Sequence, residues 1–124
     1  MIFIDRSIPK SVGEALKKVR DDVLWFEDAF RHDTKEPDWL PVAGANGWLV
    51  ILRDKKVRTR PGERRAIEEH GVGCFIISQK KDPTRWQYVK LLAKTLDEME
   101  KLFQQTTHPF IFTVDSTGAF RRRL

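Results

Sequence analysis

The stretch Trp48-Leu49-Val50-Ile51-Leu52-Arg53-Asp54 decides how the chain folds. Five successive apolar residues stop abruptly at a cation and a carboxylate. A continuous apolar run of that length suits a strand buried on both faces, as in a parallel sheet. Met1-Ile2-Phe3-Ile4, stopped by Asp5, repeats the pattern. Val23 to Phe26, Cys74 to Ile77 and Phe110 to Val114 are further strand-like runs. Between them lie helical signals. Ser7 serves as a cap with Pro9 in the first turn, ahead of Val12, Leu16 and Val19 at helical spacing. Glu27 to Lys35 reads as polar and irregular. Glu36 to Ala45 is a short helix constrained by Pro37 and Pro41 and broken by Gly44 and Gly47. Pro61 and Glu63 open another helix, which His70-Gly71 closes. Pro83 to Gln105 is a long amphipathic helix with Val89, Leu92, Leu96, Met99 and Phe103 as its apolar stripe. Asp115-Ser116-Thr117-Gly118 then turns the chain into Ala119-Phe120, a terminal hairpin. Strands alternating with helices imply βαβ units. The expected fold is a three-layer α/β/α sandwich around a mostly parallel sheet, a single domain over residues 1–124.

Composition narrows the function. The chain has 124 residues, 23 Lys and Arg against 18 Asp and Glu, and a formal charge of +5. A single cysteine excludes an intrachain disulfide and a cysteine-rich zinc site. No apolar run reaches the roughly 18 residues of a membrane span, and Met1 to Asp5 does not read as a signal peptide. A cytoplasmic location is therefore expected. Neither GxGxxG nor GxxxxGK[ST] occurs, so nucleotide-cofactor binding has no motif behind it. His32, His70 and His108 lack metal spacing, and Cys74 lies in an apolar run as a small hydrophobe. Trp25, Trp39, Trp48 and Trp86 read most simply as core.

Ligands of open α/β sheets bind beyond the carboxyl ends of the strands. Asp5 and Asp54 each follow a strand at that edge. If they converge, a hard divalent cation relieves their repulsion; otherwise each caps the element that follows. A third acidic group lies in Glu36-Pro37-Asp38-Trp39-Leu40, where Trp39 and Leu40 anchor the helix and leave Glu36 or Asp38 to face the edge. Its alternative is a helix start that favours acids through its dipole. From Arg53 to Arg65 seven cations stand against two acids, an excess equal to that of the whole chain. Cations beside carboxylates suit a polyanionic substrate, though a solvated patch has the same composition. Arg121-Arg122-Arg123 is a second patch or a solubilising tail.

These segments together resemble the PIN-like domains, and among them the VapC-type toxin ribonucleases of toxin–antitoxin modules. The resemblance rests on Ile4-Asp5-Arg6-Ser7, on Glu36 to Leu40 and on Gly47 to Lys55. It implies a metal-dependent endoribonuclease that hydrolyses phosphodiesters with water. Asp5, Glu36 and Asp54 would be the catalytic acids holding Mg²⁺ or Mn²⁺. Asp38 is a less central alternative to Glu36, and Asp28 and Glu63 are candidates for a fourth acid. Where such domains carry a Thr-x-Asp-like signature, this chain reads Leu52-Arg53-Asp54 and lacks the hydroxyl. Arg6, Ser7, Arg53, Lys55, Lys56, Arg58 and Arg60 would meet the substrate. RNA and a cognate antitoxin are the implied partners, with homodimerisation a further family trait. Two rivals bear on this reading. A catalytically inactive PIN-like domain would keep the fold and bind RNA or protein. Receiver domains share the length and an aspartate after a central strand, but need an acidic pair where this chain has Asp5-Arg6.

Overall fold

In the computed structural model, which describes residues 1–53 and 60–124, all four residues of Leu49–Leu52 are buried in the middle of a six-stranded sheet. The element order is β1 (Ile2–Ile4), α1 (Lys10–Lys17), β2 (Val23–Trp25), α2 (Phe26–Ala29), α3 (Glu36–Ala45), β3 (Leu49–Leu52), α4 (Pro61–Glu69), β4 (Gly73–Ile77), α5 (Arg85–Gln105), β5 (Phe110–Val114) and β6 (Phe120–Arg122). The strands lie in the order β2-β1-β3-β4-β5-β6. All pairings are parallel except β5 with β6, the closing hairpin. The expected α/β/α architecture with its C-terminal hairpin is the observed one.

Alternation along the strands assigns the layers. Phe3, Val50, Cys74 and Ile111 are in register and share one face; Ile4, Ile51, Phe75 and Phe112 share the other. On the first face Phe3 is ringed by Phe26, Phe30, Trp39 and Trp48, with ring centroids 5.2–5.7 Å away. That cluster seats α2 and α3, and α3 packs on α4. On the second face α5 lies beside α1, and its Phe103 packs on Phe110. The connections β3–α4–β4 and β4–α5–β5 step the same way across the sheet, yet their helices cover opposite faces. They therefore have opposite hands. One of the two thus departs from the usual rule for parallel crossovers.

Several local expectations need correction. Ser7 does not cap α1, which starts at Lys10 after Pro9; the Ser7 side chain is engaged elsewhere. Val19 is 77% exposed, because α1 stops at Lys17 and the chain turns so that Ile2 N can donate to Asp22 O. Phe26 leaves the strand and begins α2, because the Asp28 carboxylate accepts from Trp25 N at 2.9 Å and turns the chain. That short helix lies in the segment read as irregular. Trp86 is 66% exposed on the outer side of α5. Arg121 and Arg122 belong to β6, and Arg123 N donates to Ile111 O at 2.7 Å, so the terminal arginines are docked on the sheet.

Two glycines separate packing from propensity. A Cβ on Gly44, where α3 meets the end of α4, would overlap the His70 carbonyl oxygen, whereas one on Gly62 meets nothing within 4 Å. Gly44→Ala is expected to lower stability by about 2 kcal/mol or more, and Gly62→Ala to raise it by roughly 0.5 kcal/mol as a better helix former. Urea unfolding of the two variants checks both signs.

Candidate functional site

β1 lies between β2 and β3, so the chain leaves its carboxyl end for β2 on one side while β3 ends on the other. Such a reversal of direction is where doubly wound sheets open a crevice for ligands. Asp5 is the residue at that point. Its amide donates to Ile51 O at 2.9 Å and extends the β1–β3 ladder by one bond, and its carbonyl accepts from Ile8 N at 3.0 Å, starting the turn. The carboxylate, 8% exposed, accepts from the Ser7 amide at 3.0 Å on Oδ2. The Ser7 hydroxyl in turn accepts from Arg53 N at 2.8 Å. One serine thus ties the ends of β1 and β3 together and orients the acid between them.

Burial pushes the Asp5 carboxyl above its ordinary range. Hydrogen bonds from Ser7 and the charge of Arg6 oppose this, and the negative charge of Glu36 adds to it. The last contribution means that Glu36, at the start of α3, faces the same region as Asp5. Glu36 and Glu63 both line a cleft of about 310 Å³, together with Pro37, Gly62 and Ala66. Glu36 on α3 thus lies near Asp5 at the end of β1 through its field, and shares its cleft with Glu63 on α4. Asp38 is exposed on α3. Asp28 stands apart, held by Lys17 at 2.8 Å and by Trp25 N. Partial burial raises its carboxyl, but the Lys17 and Trp25 hydrogen bonds outweigh this and leave it below the ordinary range.

Asp54, Lys55, Lys56 and Arg58 lie outside the described residues. Among the described residues, no group of three or more His, Cys, Asp or Glu side chains is placed to hold a metal ion. The donor chemistry still fits one: a buried carboxylate with a second carboxylate nearby offers the hard oxygen ligands that Mg²⁺ or Mn²⁺ takes.

The cations expected to meet substrate have partners within the fold. Arg6 donates through Nη1 to the His32 and Thr34 carbonyls, and its guanidinium lies 4.5 Å over the Phe26 ring. Arg53, whose side chain is 15% exposed, pairs with Asp82 at 2.7 Å and donates to Gln79 O at 3.1 Å. Arg60 pairs with Glu63 at 2.9 Å. Sequence reasoning missed the 79–82 loop as the support of Arg53. His108 Nε2 contacts Phe103 O within its own corner of the fold. Cys74 is buried with its thiol driven far up by desolvation, so it stays protonated and unreactive.

These features, a doubly wound sheet with a buried aspartate at its switch point, accord with what comparison adds. A family model described as a PIN like domain matches residues 1–79, and the chain belongs to that family. Neither curated proteins nor solved structures give a match. No described helix is long and apolar enough to cross a membrane.

Because Asp5 binds its proton more tightly folded than unfolded, its ionisation lowers stability as pH rises through the folded value. Asp5→Asn removes that burden. At pH 7, without divalent cations, the variant is expected to melt about 3 °C higher than the parent. The advantage shrinks towards zero below the ordinary carboxyl range, where the parent is protonated in both states. Thermal melts at pH 3.5, 5 and 7 read it directly.

Proposed function

We propose that the protein is a metal-dependent endoribonuclease acting at the Asp5 edge. PIN domains are commonly nucleases. The observation that carries the reading for this chain is the Asp5 carboxylate itself, buried, oriented by Ser7 and destabilised by Glu36. Asp5 and Glu36 would hold Mg²⁺ or Mn²⁺, with Asp54 as the third acid. Bound there, the ion would lower the pKa of a coordinated water and neutralise charge developing on the scissile phosphate. The protein's own groups set the geometry. Ser7 fixes one carboxylate oxygen of Asp5 through its amide and locks the strand ends through its hydroxyl, so the acid does not swing when charge enters the site. Arg6 and Arg53 brace the two loops that wall the edge. Lys55, Lys56 and Arg58, directly after Asp54, would supply phosphate contacts from the most cationic stretch of the chain.

The role proposed for such an activity is that of a cytoplasmic toxin in a toxin–antitoxin module, held in check by a cognate antitoxin and able to form a homodimer. The alternative is a PIN-like domain that binds RNA or protein without cleaving. Incubation of the purified protein with a mixed RNA in Mn²⁺ separates them. Cleavage is expected in Mn²⁺ and not in EDTA, and Asp5→Asn and Glu36→Gln should each reduce it by about 100-fold. No metal-stimulated cleavage, or unchanged cleavage by Asp5→Asn, overturns the nuclease reading.

Metal binding has a second readout. Ions that bind only the folded state raise its melting temperature by mass action. Millimolar Mn²⁺ should stabilise the parent and leave Asp5→Asn unmoved, a difference visible in a thermal shift assay.

A further inference from the structure

The outer side of α5 carries an arrangement that the acidic edge does not absorb. Trp86, Lys90 and Lys94 recur at intervals of four, so they stack along one exposed stripe of the helix. The Trp86 ring is two-thirds exposed, and Lys90 Nζ lies 5.9 Å from its centroid. Lys90 and Lys94 also line a cleft of about 290 Å³ whose far wall includes Gln79 and Ser116, the residues just beyond β4 and β5. Lys94 donates to Thr117 O at 2.8 Å and holds the hairpin turn against that cleft. From residue 79 to residue 94 the chain has five cations and one acid, and that acid, Asp82, is paired with Arg53.

We infer that this surface binds single-stranded RNA, with a base stacked on Trp86 and the backbone phosphates on Lys90 and Lys94. An exposed aromatic flanked by cations is the basic element of sequence-tolerant single-strand binding: the ring accepts any base, and the cations follow the backbone. A burial-driven docking face would need a broad apolar patch, and here one indole stands among lysines. The surface is also continuous with the acidic edge. Arg53 reaches Ser7 through its amide and Gln79 through its guanidinium, so the same residue touches the Asp5 turn and the wall of the cleft. β4 and β5 lie two and three strands from β1, roughly 10–15 Å at ordinary sheet spacing. A strand cut at Asp5 could therefore rest its flanking nucleotides on α5. In assigning a place to the substrate the inference rests on the nuclease reading, but the binding itself does not require cleavage.

The test is fluorescence anisotropy of a labelled 12-nucleotide RNA of mixed sequence, titrated with the full protein in EDTA. The parent should bind with strong salt dependence, and Trp86→Ala should weaken binding about tenfold. Trp86→Phe should recover most of the loss, which a structural defect at an exposed position would not allow. Lys90→Ala should flatten the plot of log affinity against log salt by about 0.7. The inference fails if Trp86→Ala binds as the parent does. It fails equally if an RNA duplex, or an acidic peptide of equal charge, binds as well as the single strand. A binding defect in a protein that never cleaves would sink the nuclease reading and leave this surface standing; intact cleavage with no Trp86 effect would do the reverse.

Discussion

A carboxylate placed at the end of a fully buried strand is costly, and the surroundings of Asp5 limit that cost. Without a partner, such a group would reprotonate or distort the turn. Ser7 supplies the partner: its amide donates to the acid, while its hydroxyl accepts from the amide of Arg53. Arg53 is then held at its other end by Gln79 and Asp82. A chain of hydrogen bonds thus runs from β1 through β3 to the loop after β4. It keeps three strand ends level and makes the acidic edge a fixed surface. The charge of Glu36 works against this stabilisation. The buried charge of Asp5 remains a cost to folding, chiefly through its desolvation, as is common where function sets the residues.

The parallel part of the sheet was legible because its strands are short, almost wholly apolar and bounded by polar residues, as strands buried on both faces are. The site was legible in part for the same reason. Asp5 stands out because it directly follows such a run, and its placement at the crevice follows from the order of the strands. What the sequence hid were choices between equivalent hydrogen-bond partners. Ser7 next to a helix start has the composition of a cap, and only the approach of β3 reveals that its hydroxyl serves Arg53 instead. Arg6 and Arg53 look like free cations in a basic chain, while in the fold Arg6 bridges two loop carbonyls and Arg53 joins a loop carbonyl to the Asp82 carboxylate.

Trp86 illustrates a different difficulty. It lies three residues before Val89, and so continues an apolar stripe at helical spacing. In the structure the buried side of α5 is centred on Tyr88, Leu92, Thr95 and Met99, with Val89 only partly buried at its margin. Each residue turns the helix by about 100°, so three steps back from a marginal position reach the solvent side. Periodicity gave the existence of the stripe and missed its centre by one position, enough to reverse the environment of the largest side chain in the helix.

The hairpin that closes the sheet bears on how copies of this protein could meet. An open strand edge invites another strand, and proteins blunt it with short strands and charge. β6 is three residues long and two of them are arginines; the opposite border, β2, is also only three residues. Both rims of the sheet are thus poor templates for strand addition, and like charges on β6 would face each other in any antiparallel self-pairing. Strand addition at either rim is therefore a poor route to association between copies of this protein.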